Sequence, residues 1–274
     1  MTSLSEDCHS GTLFRVDDPK QGRPTLARLD GDDIVAIPGD IEQLHDRHRS
    51  GEALPTGRVL DGPELELLAP VTPSKIVCVG LNYRQHAREM DKDIPDEPLM
   101  FMKPPTALVG PATSIELPES SNEVHHEGEL AIVIGDRLKD ADRDEAADAI
   151  FGYTCACDVS ARDIQRREGR YTRGKGFDTF APVGPSIALA PQFDPAQHEL
   201  TCRVDGELRQ QSTLDDFIFP VDRVVSFISG VMTLLPGDVV FTGTPHGVGP
   251  IEAGQSVEVA IDGIGTLRNP VTHR

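Results

Sequence analysis

The sequence predicts a mostly β, α+β fold, and three observations carry that prediction. Many short apolar runs are bounded by Gly, Pro or Asp, as strands are. Helical patterns are few and short. The alternation of strands with long helices and a glycine-rich phosphate loop, which a doubly wound parallel sheet favours, is missing: neither G-x-G-x-x-G nor G-x-x-x-x-G-K-[ST] occurs, nor a G-x-S-x-G elbow.

In chain order, TLFRV, TLARLD and DIVAIP read as strands and DIEQLHDRHRSGEAL as a helix. They predict a small β-rich N-terminal domain over 1–70. The proline-spaced LAPVTPSK leads into a larger domain over 71–274. There KIVCVG is a buried-strand run, and NYRQHAREMDK is a helix with Asn82 as its N-cap. PLMFM, TALVG, SIELP, VHHEGELAIVIG, FGYTCACDV and SIALA follow as strands. DADRDEAADAIF, SARDIQRREG and VDRVVSFISGVM are the helical pieces, the last with Val221, Val224, Val225, Ile228 and Val231 at helical spacing. ELTCRVDGELRQ is a hairpin about Asp205-Gly206. GDVVFTG and SVEVAIDGIGTLRNPV close the chain as strand and turn.

Composition narrows the function classes. With 45 acidic against 26 basic side chains the net charge is -19, so the surface repels phosphate backbones and anionic membranes. Neither nucleic acid nor membrane is an expected partner. No apolar run reaches the roughly 18 to 20 residues of a membrane helix, and the opening MTSLSEDCHS lacks a signal-like pattern, which predicts a cytoplasmic protein. Five cysteines, an odd number with three in apolar runs, fit packed reduced thiols.

The candidate chemistry begins in VHHEGELAIVIG. Period-2 alternation puts Glu127 and Glu129 on one strand face with Ala131 and Val133, opposite His126, Leu130, Ile132 and Ile134. Adjacent carboxylates on a half-buried strand repel, so they either reach solvent or share a cation such as Mg²⁺ or Mn²⁺. Glu64-Leu65-Glu66 shows how common the spacing is in an acidic chain. Asp158 ends the apolar run FGYTCACD, where an uncompensated carboxylate would cost several kcal/mol; it is a cation ligand or the N-cap of the helix that follows. His86 and Glu89 share a helix face as a general base with its orienting partner, or as an exposed pair. Lys175, between Gly174 and Gly176, meets an anionic substrate or tips a flexible loop. FTGTPHGVGP lets backbone amides approach a ligand or simply turns a corner. Adjacent His125-His126 and the Cys155-Ala156-Cys157 pair allow a zinc reading, weakened because neighbouring strand residues point to opposite faces.

Taken in order, IVCVGLNYRQHAREM, FMKPPTALVGP, VHHEGELAIVIG, GYTCACDVSARDIQ, GKGFDTFAPVGP, VDGELRQ and LPGDVVFTGTPHGVGP resemble the fumarylacetoacetate hydrolase family over about Lys75 to Val271. The resemblance implies a rolled β-sheet catalytic domain, a homodimer and one Mg²⁺ or Mn²⁺. By motif match, Glu127, Glu129 and Asp158 are the metal ligands, Lys175 contacts substrate, and Gln165 and Thr244 are polar substrate contacts. His86 and Glu89 match the lid-helix dyad of the acylpyruvate hydrolase and oxaloacetate decarboxylase branch. One position departs: Leu81 stands where members close to the mitochondrial acylpyruvase often carry Arg.

The resemblance further implies an enzyme acting on 2-oxo or 2,4-dioxo acids, cleaving a C–C bond through a metal-stabilised pyruvate enolate. The alternatives are an isomerase, tautomerase or decarboxylase of aromatic catabolism, of the 2-hydroxyhepta-2,4-diene-1,7-dioate or 5-carboxymethyl-2-hydroxymuconate type. A non-catalytic, metal-dependent dicarboxylate-binding module is the reading from another class.

Overall fold

The computed structural model describes residues 7–18, 22–60 and 65–274. Glu64, half of the competing E-x-E, lies outside the described residues. The fold is mixed and mostly strand, as expected. Its largest sheet runs in the order Val59–Leu60, Asp33–Ala36, Arg23–Asp30, Leu13–Asp18, Ala181–Leu189, Ile150–Cys157, Gly128–Ile134, Val239–Phe241, Ile76–Gly80, Leu99–Lys103. The lead-in strand Leu13–Asp18 pairs antiparallel with Ala181–Leu189, so both parts of the chain share this sheet.

The carboxylate strand Gly128–Ile134 sits near the middle, between Ile150–Cys157 and Val239–Phe241. It is buried on both faces rather than half-buried. The alternation holds: Leu130, Ile132 and Ile134 enter one core with Val77, Tyr153 and Ile228, whereas Ala131 and Val133 enter a second with Ile76, Phe151 and Phe241. Leu13, Ile37 and Leu44 of the lead-in belong to that second core. Leu44 comes from the helix Ile41–Arg49, started by Asp40, whose carboxylate accepts from Gln43 N while Gln43 Oε1 accepts from Asp40 N. Beside Leu44, His45 lies buried under Gly135, where an added Cβ would strike its ring.

A second sheet joins Glu207–Thr213, Glu199–Val204, Ser256–Ile261, Gly265–His273 and Ile115–Leu117. Asp205 and Gly206 both have positive φ (50° and 76°), the backbone a two-residue hairpin of this twist needs. The helix Val221–Val231 buries Val224, Val225 and Ile228, while Val231 ends exposed because the helix stops there.

One local expectation is corrected. Asn82 does not cap the helix Arg84–Glu89; Tyr83 holds that position and makes no side-chain cap bond. Asn82 is fully buried instead, donating to the Phe219 and Thr242 carbonyls and accepting from Phe219 N at 2.7 Å. Those partners lie far along the chain, so tertiary bonding outcompetes the local cap.

Candidate metal centre and active site

Sheet pairing brings the three predicted ligands together. Gly128 pairs with Cys157, so Glu127 and Glu129 flank the strand position opposite the residue before Asp158. Asp158 N donates to Glu127 O at 2.8 Å, fixing the exit of one strand against the entry of the next. One oxygen from each of Glu127, Glu129 and Asp158 lies within 4.8 Å of the others, and all three side chains are buried. Among the described residues no other group of three or more His, Cys, Asp or Glu is arranged to hold an ion. The helix after Asp158 begins at Arg162 with Ala161 as its N-cap, so the cap alternative for Asp158 falls away.

Lys175 is not on a flexible loop. It closes the short helix Tyr171–Lys175, is buried, and donates to Asp158 Oδ2 at 2.5 Å and to Glu127 Oε2 at 3.0 Å. Arg162 bonds Glu127 Oε1 and, at 2.7 Å, Gln165 Oε1, which ties half-buried Gln165 to the carboxylate cluster. Burial favours a neutral Glu127, but Arg162 and Lys175 outweigh it and hold the carboxyl down to about 2. Burial likewise disfavours the Lys175 ammonium, and Asp158 and Glu127 more than restore it, raising its pKa.

Glu129 is the unbalanced member. Its hydrogen-bond donor is Gly243 N, at 2.8 Å. Burial first, then Asp158 and Glu127, push its pKa well above the carboxylate range. Asp158 supplies a second imbalance. Lys103 Nζ lies 2.7 Å from Asp158 Oδ1, but its three protons go to the carbonyls of Val159, Lys175 and Phe180, so this buried oxygen accepts no hydrogen bond. Three clustered oxygen donors, one strained toward protonation and one orphaned, fit a hard divalent cation.

His86 and Glu89 lie side by side on the helix Arg84–Glu89. His86 Nδ1 meets Glu89 Oε2 at 2.9 Å, and Gly247 N donates to Glu89 Oε1 at 3.2 Å. The loop 243–247 therefore bonds Glu129 at one end and Glu89 at the other. Thr244, within it, is buried: its hydroxyl donates to Gly128 O at 2.8 Å and accepts from Gln210 Nε2. Leu81 turns the chain toward the dyad helix with φ of 53°.

His125 faces Glu123 at 3.1 Å while His126 points the other way, to Gln210, as strand alternation requires. Burial pushes the Cys157 thiol up to about 12 and raises that of Cys155, which suits packed thiols rather than zinc ligands. Lys103, Arg162 and Gln210 are site residues that motif reasoning did not single out. Lys103 had a visible signal, a charge closing the apolar run LMFM; Gln210, an uncharged amide, had none.

The comparisons with known proteins give the family and the fold. The family profile described as fumarylacetoacetate (FAA) hydrolase, C-terminal, matches residues 75–272. The chain is 38% identical over 282 residues to the mitochondrial oxaloacetate tautomerase fahd2 of Xenopus laevis, covering 94% of this chain and 88% of that one. A crystal structure of 5-carboxymethyl-2-hydroxymuconate delta-isomerase from Mycobacterium smegmatis aligns with a TM-score of 0.84 and 42% identity, over 96% of this chain and all of the other. Maleylpyruvate hydrolase from Sphingobium sp. SYK-6, in complex with manganese (II) ion and pyruvate, aligns with a TM-score of 0.77 and 31% identity, over 96% and 99% of the two chains. No helix among the described residues is long and apolar enough to cross a membrane. The chain belongs to the fumarylacetoacetate hydrolase family and is an enzyme.

Proposed function

We propose that the protein cleaves a C–C bond in a 2-oxo or 2,4-dioxo acid by way of a pyruvate enolate, with Mg²⁺ or Mn²⁺ held by Glu127, Glu129 and Asp158. The observation that carries this reading is the buried carboxylate trio with Lys175 against two of its members and the loop 243–247 joining it to the His86–Glu89 dyad. The manganese and pyruvate in the Sphingobium hydrolase complex support both the cation and the product fragment. The cation supplies a Lewis acid for the 2-oxo oxygen, where negative charge gathers as the bond breaks.

The chain's own groups do the rest. Lys175 presents a buried ammonium, whose attraction for developing anionic charge is strengthened by exclusion of water. Glu89 engages His86 Nδ1, which leaves Nε2 as the basic nitrogen. That nitrogen takes a proton from water, the hydroxide adds to C4, and the C3–C4 bond breaks with its electron pair entering the enolate. Protonation at C3 then gives pyruvate and a carboxylic acid. With oxaloacetate, loss of CO₂ leads to the same enolate without the water.

A second reading is tautomerase or isomerase chemistry, favoured by the activities for which the Xenopus and Mycobacterium smegmatis relatives are named. It needs the enolate but no hydrolytic water. A panel of oxaloacetate, acetylpyruvate, fumarylpyruvate and 5-carboxymethyl-2-hydroxymuconate, with Mg²⁺, Mn²⁺ or chelator, separates the two. Metal-dependent pyruvate release supports cleavage; keto–enol exchange or isomerisation without pyruvate supports the second reading. Full turnover in chelator would sink both.

A further inference from the structure

The hairpin strand Glu207–Thr213 sends one side chain, Gln210, between the metal-ligand turn and the loop 243–247. It is almost wholly buried, and every hydrogen-bonding capacity of its amide is used. Oε1 accepts from Gly128 N at 2.9 Å and from His126 Nδ1 at 3.1 Å. Nε2 donates to Thr244 Oγ1 at 2.8 Å and to Pro245 O at 2.9 Å. Thr244 closes the ring by donating to Gly128 O. Gly128 stands between the ligands Glu127 and Glu129, while the loop beyond Thr244 and Pro245 donates to Glu89 and the residue before them donates to Glu129.

The hairpin has no slack at either contact. A Cβ on Gly128 would stand 2.9 Å from Cys202 Cβ, and one on Gly247 would run into the carbonyl of Arg209, the residue before Gln210. The Gly128 backbone is thus pressed against the Cys202 side chain and the Gly247 backbone against that of Arg209, one contact near each end of the Gln210 amide. Its two hydrogen-bonding ends also differ in kind: only acceptors suit Gly128 and His126, and only donors suit Thr244 and Pro245. Glutamate would lose both donors, asparagine would be a methylene too short to span the gap, and methionine would fill it without a bond.

We propose that Gln210 is a positioning residue of the active site, a clamp that sets the separation between the cation ligands and the loop that orients Glu89. The inference rests on the proposed function, because the two things it holds together are the cation site and the water-activating dyad. Gln210 hydrogen-bonds to His126, Gly128, Thr244 and Pro245, none of which is a proposed cation ligand or a member of the dyad. It acts through Gly128 on the ligands and through the loop on Glu89. A residue filling this gap only for stability would raise or lower the melting point and leave the two functions uncoupled.

The test compares wild type, Gln210→Glu and Gln210→Met by Mn²⁺ titration calorimetry, thermal midpoint, and kcat and KM for both pyruvate release and keto–enol exchange. The clamp predicts Mn²⁺ affinity weaker by about tenfold or more, the usual effect of losing a group that supports metal ligands. It also predicts that hydrolytic kcat falls further than exchange, with KM little changed. In a Glu89→Gln background most of the additional hydrolytic loss from Gln210→Glu should vanish, since the loop then has no carboxylate to orient. Wild-type Mn²⁺ affinity and kcat in folded Gln210 variants would overturn the clamp, as would losses that simply add in the double variant. If neither Gln210 variant folds, Thr244→Val removes one of its partners at similar volume, and the same coupling to Glu89→Gln decides: coupled losses support the clamp, additive or absent losses overturn it. A wild-type protein that neither binds Mn²⁺ nor turns over any 2-oxo acid overturns the proposed function and the clamp together, whereas an active wild type with indifferent variants overturns the clamp alone.

Discussion

Lys103 Nζ stands 2.7 Å from Asp158 Oδ1 while aiming its protons at the carbonyls of Val159, Lys175 and Phe180. One buried ammonium thus holds the end of the Asp158 strand, the end of the Lys175 helix and the turn after it, and balances a ligand's charge without occupying the ligand's oxygen. Lys103→Met removes this ammonium, leaves three carbonyls short of a donor, and leaves Asp158 with Lys175 as its remaining cationic partner. A loss of about 3–5 kcal/mol is expected, the cost of breaking a buried pair. Urea denaturation without metal measures it; a loss near zero would mean that the carbonyls find other donors.

Asp158→Asn should abolish turnover and weaken Mn²⁺ binding, because the amide keeps the shape but supplies no negative charge to the cation. Lys175 also loses its 2.5 Å carboxylate partner and keeps only Glu127. Calorimetric Mn²⁺ titration beside a pyruvate assay checks this. Unchanged affinity would remove Asp158 from the ligand set.

Gly128 is a glycine for a reason of space. Its Cβ would sit 2.9 Å from Cys202 Cβ, an atom attached directly to the hairpin backbone, with Gln210 Oε1 in ordinary contact at 3.4 Å. Gly128→Ala should therefore displace the Glu127–Glu129 turn and cost roughly 1–3 kcal/mol, as overpacking does. Thermal unfolding and Mn²⁺ affinity should fall together. A variant that binds metal normally would show that the hairpin yields instead.

His86→Ala should damage hydrolysis far more than keto–enol exchange, since only hydrolysis needs activated water. A loss of about 10²–10⁴ in hydrolytic kcat is the usual range for removing a general base. Equal losses in the two assays would make the dyad structural. Glu89→Gln should reproduce a part of the effect, because its single amide oxygen can still accept from His86 Nδ1 but carries no charge to raise the basicity of the ring.

Acid should loosen the contact beneath Gly135. Burial lowers the pKa of His45 below its ordinary 6.5, and the hydrogen bond to Asp148 O only partly offsets this. The unfolded chain then takes up the proton first, so this contribution is complete above pH 6.5 and is lost as pH falls from there toward the folded value. His45→Gln should flatten the decline of the urea midpoint as pH falls below about 6.5. A slope identical to wild type would assign the acid sensitivity to other groups.

Legibility in the sequence followed the range of the interactions involved. Strand alternation and the Asp205-Gly206 turn are local, and both appear where the pattern puts them. Asp158 was readable because a charge ending an apolar run needs a partner, although the run could not say whether that partner was a helix or a cation. Asn82 misled for the opposite reason: beside a helix it resembles a cap, yet its bonds reach Phe219 and Thr242, 137 and 160 residues away. Gln210 meets Gly128 across 82 residues and Pro245 across 35, and an uncharged amide in a polar strand leaves no local trace of either. For Lys175 the flanking glycines left a loop tip open beside a substrate contact, because the short helix Tyr171–Lys175 that buries it has no apolar period to show it.

The pairing of Leu13 and Phe14 with Ile187 and Ser186 has a bearing on solubility. Without the lead-in, the strand Ala181–Leu189 would present bare N–H and C=O groups beside apolar side chains now buried with Leu13. A fragment starting near residue 75 would carry every group assigned to chemistry and still offer other copies a template for adding strands. The first strand is in this sense a built-in guard against self-association, and its removal should first be seen in light scattering, before any change in the carboxylate cluster.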